Sequence, residues 1–307
     1  MKTASWQVMR RIHLKGVFPP IVTPFKGSKY EICYKSAEEN FSKWKNEKVN
    51  GYVTLGSAGE YVSLKEKEAV EYVKFAAKQA HAQNVPLIAG SGCESTEATH
   101  RRCDQFAEVG ADAFLVITPH YFLPFLDDAA YIDHYLTVAD KSPKPILIYN
   151  VPFYSHINLS ADCVIELSKH PNIIGIKDIF EKERTKKIAE KTKASNFSIL
   201  SAYGNSFLPA LMCGAVGSIS AVASALPRQM KTLLEKFESG ELGDAEKIQI
   251  SLEKPNEMVT KKYGPSGLKY AMSLLGYKPG MVRPPLRNIE PKSTAAKEIE
   301  SHFQHFL

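Results

Sequence analysis

Eight short apolar runs recur along this chain, at residues 17–22, 52–55, 86–89, 113–117, 145–149, 173–176, 198–200 and 216–220, with segments of helical pattern between them. Runs rich in Val, Ile and Leu, without polar alternation, read as strands covered on both faces, as in a parallel sheet flanked by helices. Helical periods span 96–109, 129–141, 161–169 and 181–193. Ser63-Leu64-Lys65-Glu66 reads as a capping box ahead of Val70, Val73 and Ala77 at i, i+3 and i+7. Gly51 and Gly110 fall where helix C-caps are expected. Eight strands alternating with helices over about 240 residues is the count of an α/β fold of the (β/α)8 TIM-barrel type. An open doubly wound sheet for a dinucleotide should carry G-x-G-x-x-G after its first strand, and Thr23-Pro24-Phe25 stands there instead. The expected division is a barrel carrying the active site over 1–239 and a C-terminal helical extension packed on it over 240–307. That extension carries an apolar stripe (Met258, Leu268, Met272, Leu275) and is punctuated by Pro255, Pro265, Pro279 and Pro284-Pro285.

Composition narrows the function. With 44% hydrophobic and 23% charged residues the chain has the make-up of a soluble globular protein. Its net charge of +6 is spread among acidic residues, as where Lys182, Arg184, Lys186, Lys187 and Lys191 interleave with Glu181, Glu183 and Glu190. No basic stripe or zinc-finger spacing is present, so a nucleic-acid partner is not expected. Five dispersed cysteines without C-x-x-C spacing argue against a disulfide framework or a zinc site and fit a reducing compartment. No run approaches the ~18 apolar residues of a membrane span. Residues 1–30 hold Lys2, Arg10, Arg11 and Lys15 and no acidic residue, which fits either a mitochondrial presequence remnant or, for 6–14, a cap on the barrel floor. The expected compartment is the cytoplasm or the mitochondrial matrix.

Lys177 closes the apolar run Asn172-Ile173-Ile174-Gly175-Ile176. A lysine facing a barrel interior loses hydration, which favours its neutral form, and a neutral amine attacks ketones to form a Schiff base. The plainer reading is a lysine at a strand end that reaches solvent. In such barrels the chemistry sits at the C-terminal strand ends. Those ends read Gly56-Ser57-Ala58-Gly59-Glu60, Thr118-Pro119-His120-Tyr121, Tyr149-Asn150-Val151-Pro152 and Lys177. A Gly-rich turn before a helix suits a carboxylate, and a phenol beside an imine can carry protons.

Together with Val22-Thr23-Pro24-Phe25 and Gly214-Ala215-Val216-Gly217-Ser218-Ile219, these motifs make the chain resemble the dihydrodipicolinate synthase / N-acetylneuraminate lyase family of Schiff-base pyruvate aldolases. Within it, Ala89-Gly90-Ser91-Gly92-Cys93-Glu94-Ser95-Thr96, His170-Pro171-Asn172-Ile173 and Gly264-x-x-Gly267-Leu268-Lys269 are most similar to the animal 4-hydroxy-2-oxoglutarate aldolase branch. The resemblance implies Lys177 as the imine lysine, Tyr149 as the acid–base phenol, Ser57 as a hydroxyl relay and Tyr121 as the tyrosine lent to a neighbouring subunit. It also implies that the Ser57 and Ala58 N–H groups hold the keto-acid carboxylate and that Ile219 packs on the pyruvyl part. No metal or other cofactor is implied, and the implied assembly is a homotetramer made of two dimers.

Three positions depart from the family pattern. Tyr154 replaces the arginine of the synthase branch, which argues against synthase activity. Ala58 replaces Thr or Asn in the turn, and Ile179 replaces a hydroxyl residue. A site lacking a hydrogen-bond partner for a substrate hydroxyl discriminates less. The distal rim is expected from Phe122, Phe153, Tyr154, Ile179, Phe180 and Tyr203. The expected activity is a carbon–carbon lyase acting on a small 2-keto acid by retro-aldol chemistry, similar to 4-hydroxy-2-oxoglutarate aldolase. The alternatives are an aldolase or hydratase-aldolase for a less polar, aromatic aldehyde, and a keto-acid-binding protein with impaired catalysis.

Overall fold

A computed structural model describes residue 12 and residues 14–307. All eight expected runs form strands: β1 (Gly16–Val17), β2 (Tyr52–Thr54), β3 (Leu87–Gly90), β4 (Ala113–Ile117), β5 (Ile146–Tyr149), β6 (Ile173–Asp178), β7 (Ser198–Ser201) and β8 (Gly217–Ser218). Every pairing among these eight is parallel and follows chain order, with β8 returning to β1. Beyond β1 the chain bridges β2: the Ile21 N–H donates to Val53 O (2.8 Å) and the Val53 N–H to Pro19 O (3.0 Å). These bonds close the sheet on itself, so the fold is a (β/α)8 TIM barrel with C-terminal helices.

The outer ring comprises α1 (Tyr34–Asn46), α2 (Glu66–His81), α3 (Thr96–Glu108), α4 (Asp128–Lys141), α5 (Ala161–Leu167), α6 (Lys182–Thr192), α7 (Phe207–Met212) and α8 (Pro227–Glu238). Beyond it lie α9 (Leu242–Glu257), α10 (Gly264–Leu274) and α11 (Thr294–Phe303). Two apolar cores follow from the strands' two faces. The inner one, enclosed by the barrel, gathers Phe18, Val53, Leu115, Leu147, Tyr149, Ile174, Leu200 and Ile219. The outer one lies between sheet and helices and extends to Leu252, Met258, Leu268 and Met272 of the C-terminal segment. Leu14 is buried in the inner core and Ile12 packs against it, as expected of a floor. The rest of the basic N-terminal segment lies outside the described residues.

Two local expectations change. α2 is capped at Lys65, whose N–H donates to the Glu68 carboxylate (2.9 Å), and not at Ser63, whose N–H is already bonded to Glu60 O (2.8 Å). Gly110 does follow α3 with a left-handed φ of 104°, but α1 reverses at Lys48 (φ 49°), two residues after its last residue. Gly51 serves close packing instead, because a Cβ there would lie 2.7 Å from the Phe18 ring and 2.9 Å from Pro86 O.

Candidate active site

Period-2 alternation would set Ile174 and Lys177, three residues apart, on opposite faces of β6. Ile174 belongs to the inner core and Ile176 to the outer one, so the alternation slips at Gly175. The β5–β6 ladder records that slip, jumping from Ile146↔Ile173 to Leu147↔Gly175. Such an irregularity re-aims a side chain. A Cβ at Gly175 would stand 2.5 Å from Ser198 O, so only glycine fits there without a shift. The slip brings Lys177 opposite Tyr149 in register, with its Nζ 4.0 Å from the centre of the Tyr149 ring.

Lys177 is 6% exposed and forms no ion pair among the described residues. Burial therefore holds its amine down to about 7, against an ordinary 10.5. Burial pushes the Tyr149 phenol up to about 12, partly offset by its hydrogen bond with the Ser57 hydroxyl (3.3 Å). At neutral pH the site thus holds a substantially neutral amine beside a protonated phenol. This pair can attack a ketone and protonate the departing hydroxyl.

The ends of β5 and β6 are tied together by a network that the sequence reading missed. Asn150 Nδ2 donates to Asp178 Oδ1 (2.7 Å) and to Asn158 Oδ1 (2.8 Å), while Arg184 of α6 bonds the other Asp178 oxygen. Asn150 and Asp178 directly follow Tyr149 and Lys177, so the network holds the neighbours of both reactive groups. The Gly56–Glu60 turn is held from behind by another. Glu60, buried and left-handed (φ 55°), pairs with Lys269 of α10 (2.6 Å) and accepts the Arg283 N–H (2.8 Å). Lys269 also donates to Thr23 O (2.7 Å) and Met281 O (2.6 Å), and burial brings it down to about 8. Leu55, at the other end of the turn, is also left-handed (φ 53°). Backbone strain of this kind persists only where surroundings over-determine it, and it clusters at ligand clamps. The Ser57 and Ala58 N–H groups at the head of this turn have no partner among the described residues.

The cavity above Lys177 is lined by Ser57, Ala58, Tyr149, Phe153, Tyr154 and Tyr203 from the expected residues, joined by Val151. Its far wall comes from the C-terminal segment, through Val259, Thr260, Lys261, Pro265 and Leu268. None of these was singled out in the sequence as a site residue; the signals in that segment were its apolar stripe, its prolines and the Gly264–Lys269 motif.

Three expected site residues are not part of this lining. Ile219 lies in the inner core with Tyr149. Ile179 is half-buried, because β6 ends at Asp178 and the chain turns where that carboxylate meets α6. Tyr121 is 77% exposed, with its N–H and that of His120 both bonded to the Glu94 carboxylate (2.8 Å each). A single chain therefore does not bring Tyr121 to Ser57. The expected rim is also narrower: Phe122 lines a separate hollow near His134, and Phe180 packs on the outer core. Among the described residues no cluster of His, Cys, Asp or Glu could hold a metal ion, and no helix is long and apolar enough to cross a membrane.

A buried amine at the C-terminal end of a TIM-barrel strand, with a phenol and a hydroxyl in line, is the equipment of a Schiff-base aldolase. The dihydrodipicolinate synthetase family matches residues 13–302, and the chain belongs to it. It is 33% identical to the 4-hydroxy-tetrahydrodipicolinate synthase of Haloarcula marismortui over 284 residues, 92% of this chain and 90% of that protein. The enzyme of the same name from Methanococcoides burtonii is 31% identical, covering 91% of this chain and 94% of the relative. Among solved structures, a dihydrodipicolinate synthase from Bacillus anthracis superposes with a TM-score of 0.89 at 27% identity, covering 95% of this chain and 98% of that one. Members of the family are pyruvate-dependent carbon–carbon lyases that work through a covalent lysine–pyruvate Schiff base and need neither metal nor organic cofactor.

Proposed function

We propose that this protein cleaves, or in reverse forms, a 4-hydroxy-2-keto acid by retro-aldol chemistry on Lys177, in the manner of 4-hydroxy-2-oxoglutarate aldolase. The observation that carries this reading is the desolvated Lys177 amine lying 4.0 Å from the ring of a phenol that is itself hydrogen-bonded to Ser57. The amine adds to the C2 ketone while the Ser57 and Ala58 N–H groups hold the C1 carboxylate. Tyr149 protonates the carbinolamine hydroxyl, water leaves, and a protonated imine remains. That new cation beside the ring favours the phenolate Tyr149 has just become, which then takes the proton of the C4 hydroxyl. The C3–C4 bond breaks, its electrons enter the imine, and an aldehyde departs from an enamine. Protonation at C3 and hydrolysis release pyruvate and free Lys177.

The named relatives are synthases. Tyr154, at the position where the resemblance places a synthase arginine, favours cleavage over that condensation. Phe153, Tyr154 and Tyr203 in the lining support a second reading, an aldolase or hydratase-aldolase with an aromatic aldehyde partner. Pyruvate release from a panel of 4-hydroxy-2-keto acids and arylidenepyruvates decides between them. Turnover of 4-hydroxy-2-oxoglutarate supports the first, and turnover of the arylidene or aryl substrates alone supports the second.

The working form is a homotetramer of two dimers. Tyr121, Phe122, Leu123 and Phe125 form an exposed apolar loop after β4, and contiguous patches of this kind mark interfaces. Tyr121 would then reach the neighbour's Ser57 and Tyr149. Two inactive proteins, Tyr121→Phe and Lys177→Ala, should regain turnover on mixing if sites are shared, and stay inactive if they are not.

A further inference from the structure

The far wall of the cavity is unusual in its backbone. After α9, residues Met258–Lys262 form a π-helical turn, closed by the Tyr263 N–H on Met258 O (3.2 Å). The wider turn lets three consecutive residues, Val259, Thr260 and Lys261, all line the cavity. This placement is held by buried amides. Asn256 Oδ1 accepts the Gly204 N–H (2.9 Å), and Gln249 bridges the Leu208 N–H (2.8 Å) and Gly204 O (2.9 Å). These bonds lock α9 onto the loop after β7, where Tyr203 sits, and leave Lys261 Nζ 5.8 Å from the Tyr203 ring centre.

Charge separates Lys261 from its neighbours. Lys254 pairs with Glu257 (2.9 Å), and Lys262 pairs with Glu298. Lys261 has no carboxylate partner among the described residues. The cavity lining contains no Asp or Glu, and its charged residues are Lys177 and Lys261 alone. With the keto acid assigned to Lys177, the same lining offers a second, unmatched cation, Lys261, beside the Tyr203 ring. A ligand with one carboxylate leaves that cation without a counter-charge.

We propose that Lys261 receives a second anionic group at the far end of the ligand, so that the substrate is a dianionic 2-keto acid with a carboxylate at each end. This rests on the proposed Lys177 reading, whose 4-hydroxy-2-oxoglutarate-like substrate already carries a second carboxylate, and adds the residue that receives it. The test compares binding of 2-oxoglutarate and 2-oxopentanoate, which share five carbons and differ by a terminal carboxylate against a methyl. Calorimetry on the wild-type oligomer should show a preference of ~tenfold or more for the dianion, as a charge-assisted contact gives. Lys261→Met should bring the ratio close to one, Lys261→Arg should keep most of it, and added salt should erode it in the wild type. A wild-type ratio near one, or a preference that survives Lys261→Met, overturns the inference. Borohydride reduction of the wild type with pyruvate separates the two layers. A preference governed by residue 261 without a reduced adduct would remove the imine reading and leave the anion site standing. An adduct without that preference would do the reverse.

Discussion

The two ends of the cavity are built by different parts of the molecule. The floor, where Lys177, Tyr149 and Ser57 meet, stands on barrel strands and the turn that follows β2, and its reactive groups are desolvated. The far wall is made by Phe153, Tyr154 and Tyr203 from loops and by Val259–Leu268 from the C-terminal segment, and Lys261 and Tyr154 are exposed. Groups on a rigid closed sheet can be held at reacting distance, whereas groups on loops and added helices can change without disturbing it. On the proposed function, the floor would govern chemistry and the wall would govern which substrate is accepted.

Substitutions on the two sides should sort accordingly. The largest effect belongs to the floor: Tyr149→Phe should lower kcat by ~10²–10⁴-fold. Steady-state assays on the substrate found in the keto-acid screen check this, and a loss below tenfold would remove Tyr149 from proton transfer. Next is the joint between floor and wall. Lys269→Met leaves Glu60 buried without its lysine and should cost ~3–5 kcal/mol in urea unfolding. Adding Glu60→Gln should recover part of that loss, whereas additive losses would mean the pair is not coupled.

A gain in stability is expected at Lys177 itself. The amine titrates near 10.5 when the chain is unfolded and at about 7 in the fold. The native state therefore binds fewer protons between those values, so stability rises with pH from about 7 to 10.5 and is lowest below 7. Lys177→Met removes that cost. Its stabilisation should be on the order of 4 kcal/mol at pH 7 and below and should vanish by about 10.5. Thermal unfolding of both proteins across that range measures it, and a gain independent of pH would mean the amine is not desolvated. The smallest effect is on the wall: Tyr154→Phe should change kcat/KM by no more than ~1 kcal/mol, entirely in substrate preference. An equal fall on every substrate would blur the division between floor and wall.

The same division explains what could be read from sequence. Strands buried on both faces leave contiguous apolar runs, so β1 to β8 were visible, and the residues at their ends named Lys177, Tyr149 and Ser57. The slip at Gly175 was not, because a pattern of buried residues does not reveal which buried face each occupies. Asp178, Asn150 and Arg184 were missed because their partnership spans β5, β6 and α6. Lys261 was hidden further still: nothing in Met258–Lys262 announces a π-helical turn, and its position over Tyr203 depends on Asn256 and Gln249 meeting a loop about fifty residues earlier. Where Ile179 falls was equally hidden, since the strand ends at Asp178, whose carboxylate meets α6 just before it.

The central claim is that Lys177 becomes the imine. Wild-type protein should be treated with pyruvate and borohydride and the modified peptide located by mass spectrometry, at several pH values. The account predicts one reduced adduct, on Lys177, absent in Lys177→Ala, with a formation rate that climbs through about pH 7 as the amine loses its proton. An adduct on Lys261 or Lys269, or no adduct where pyruvate demonstrably binds, would contradict it.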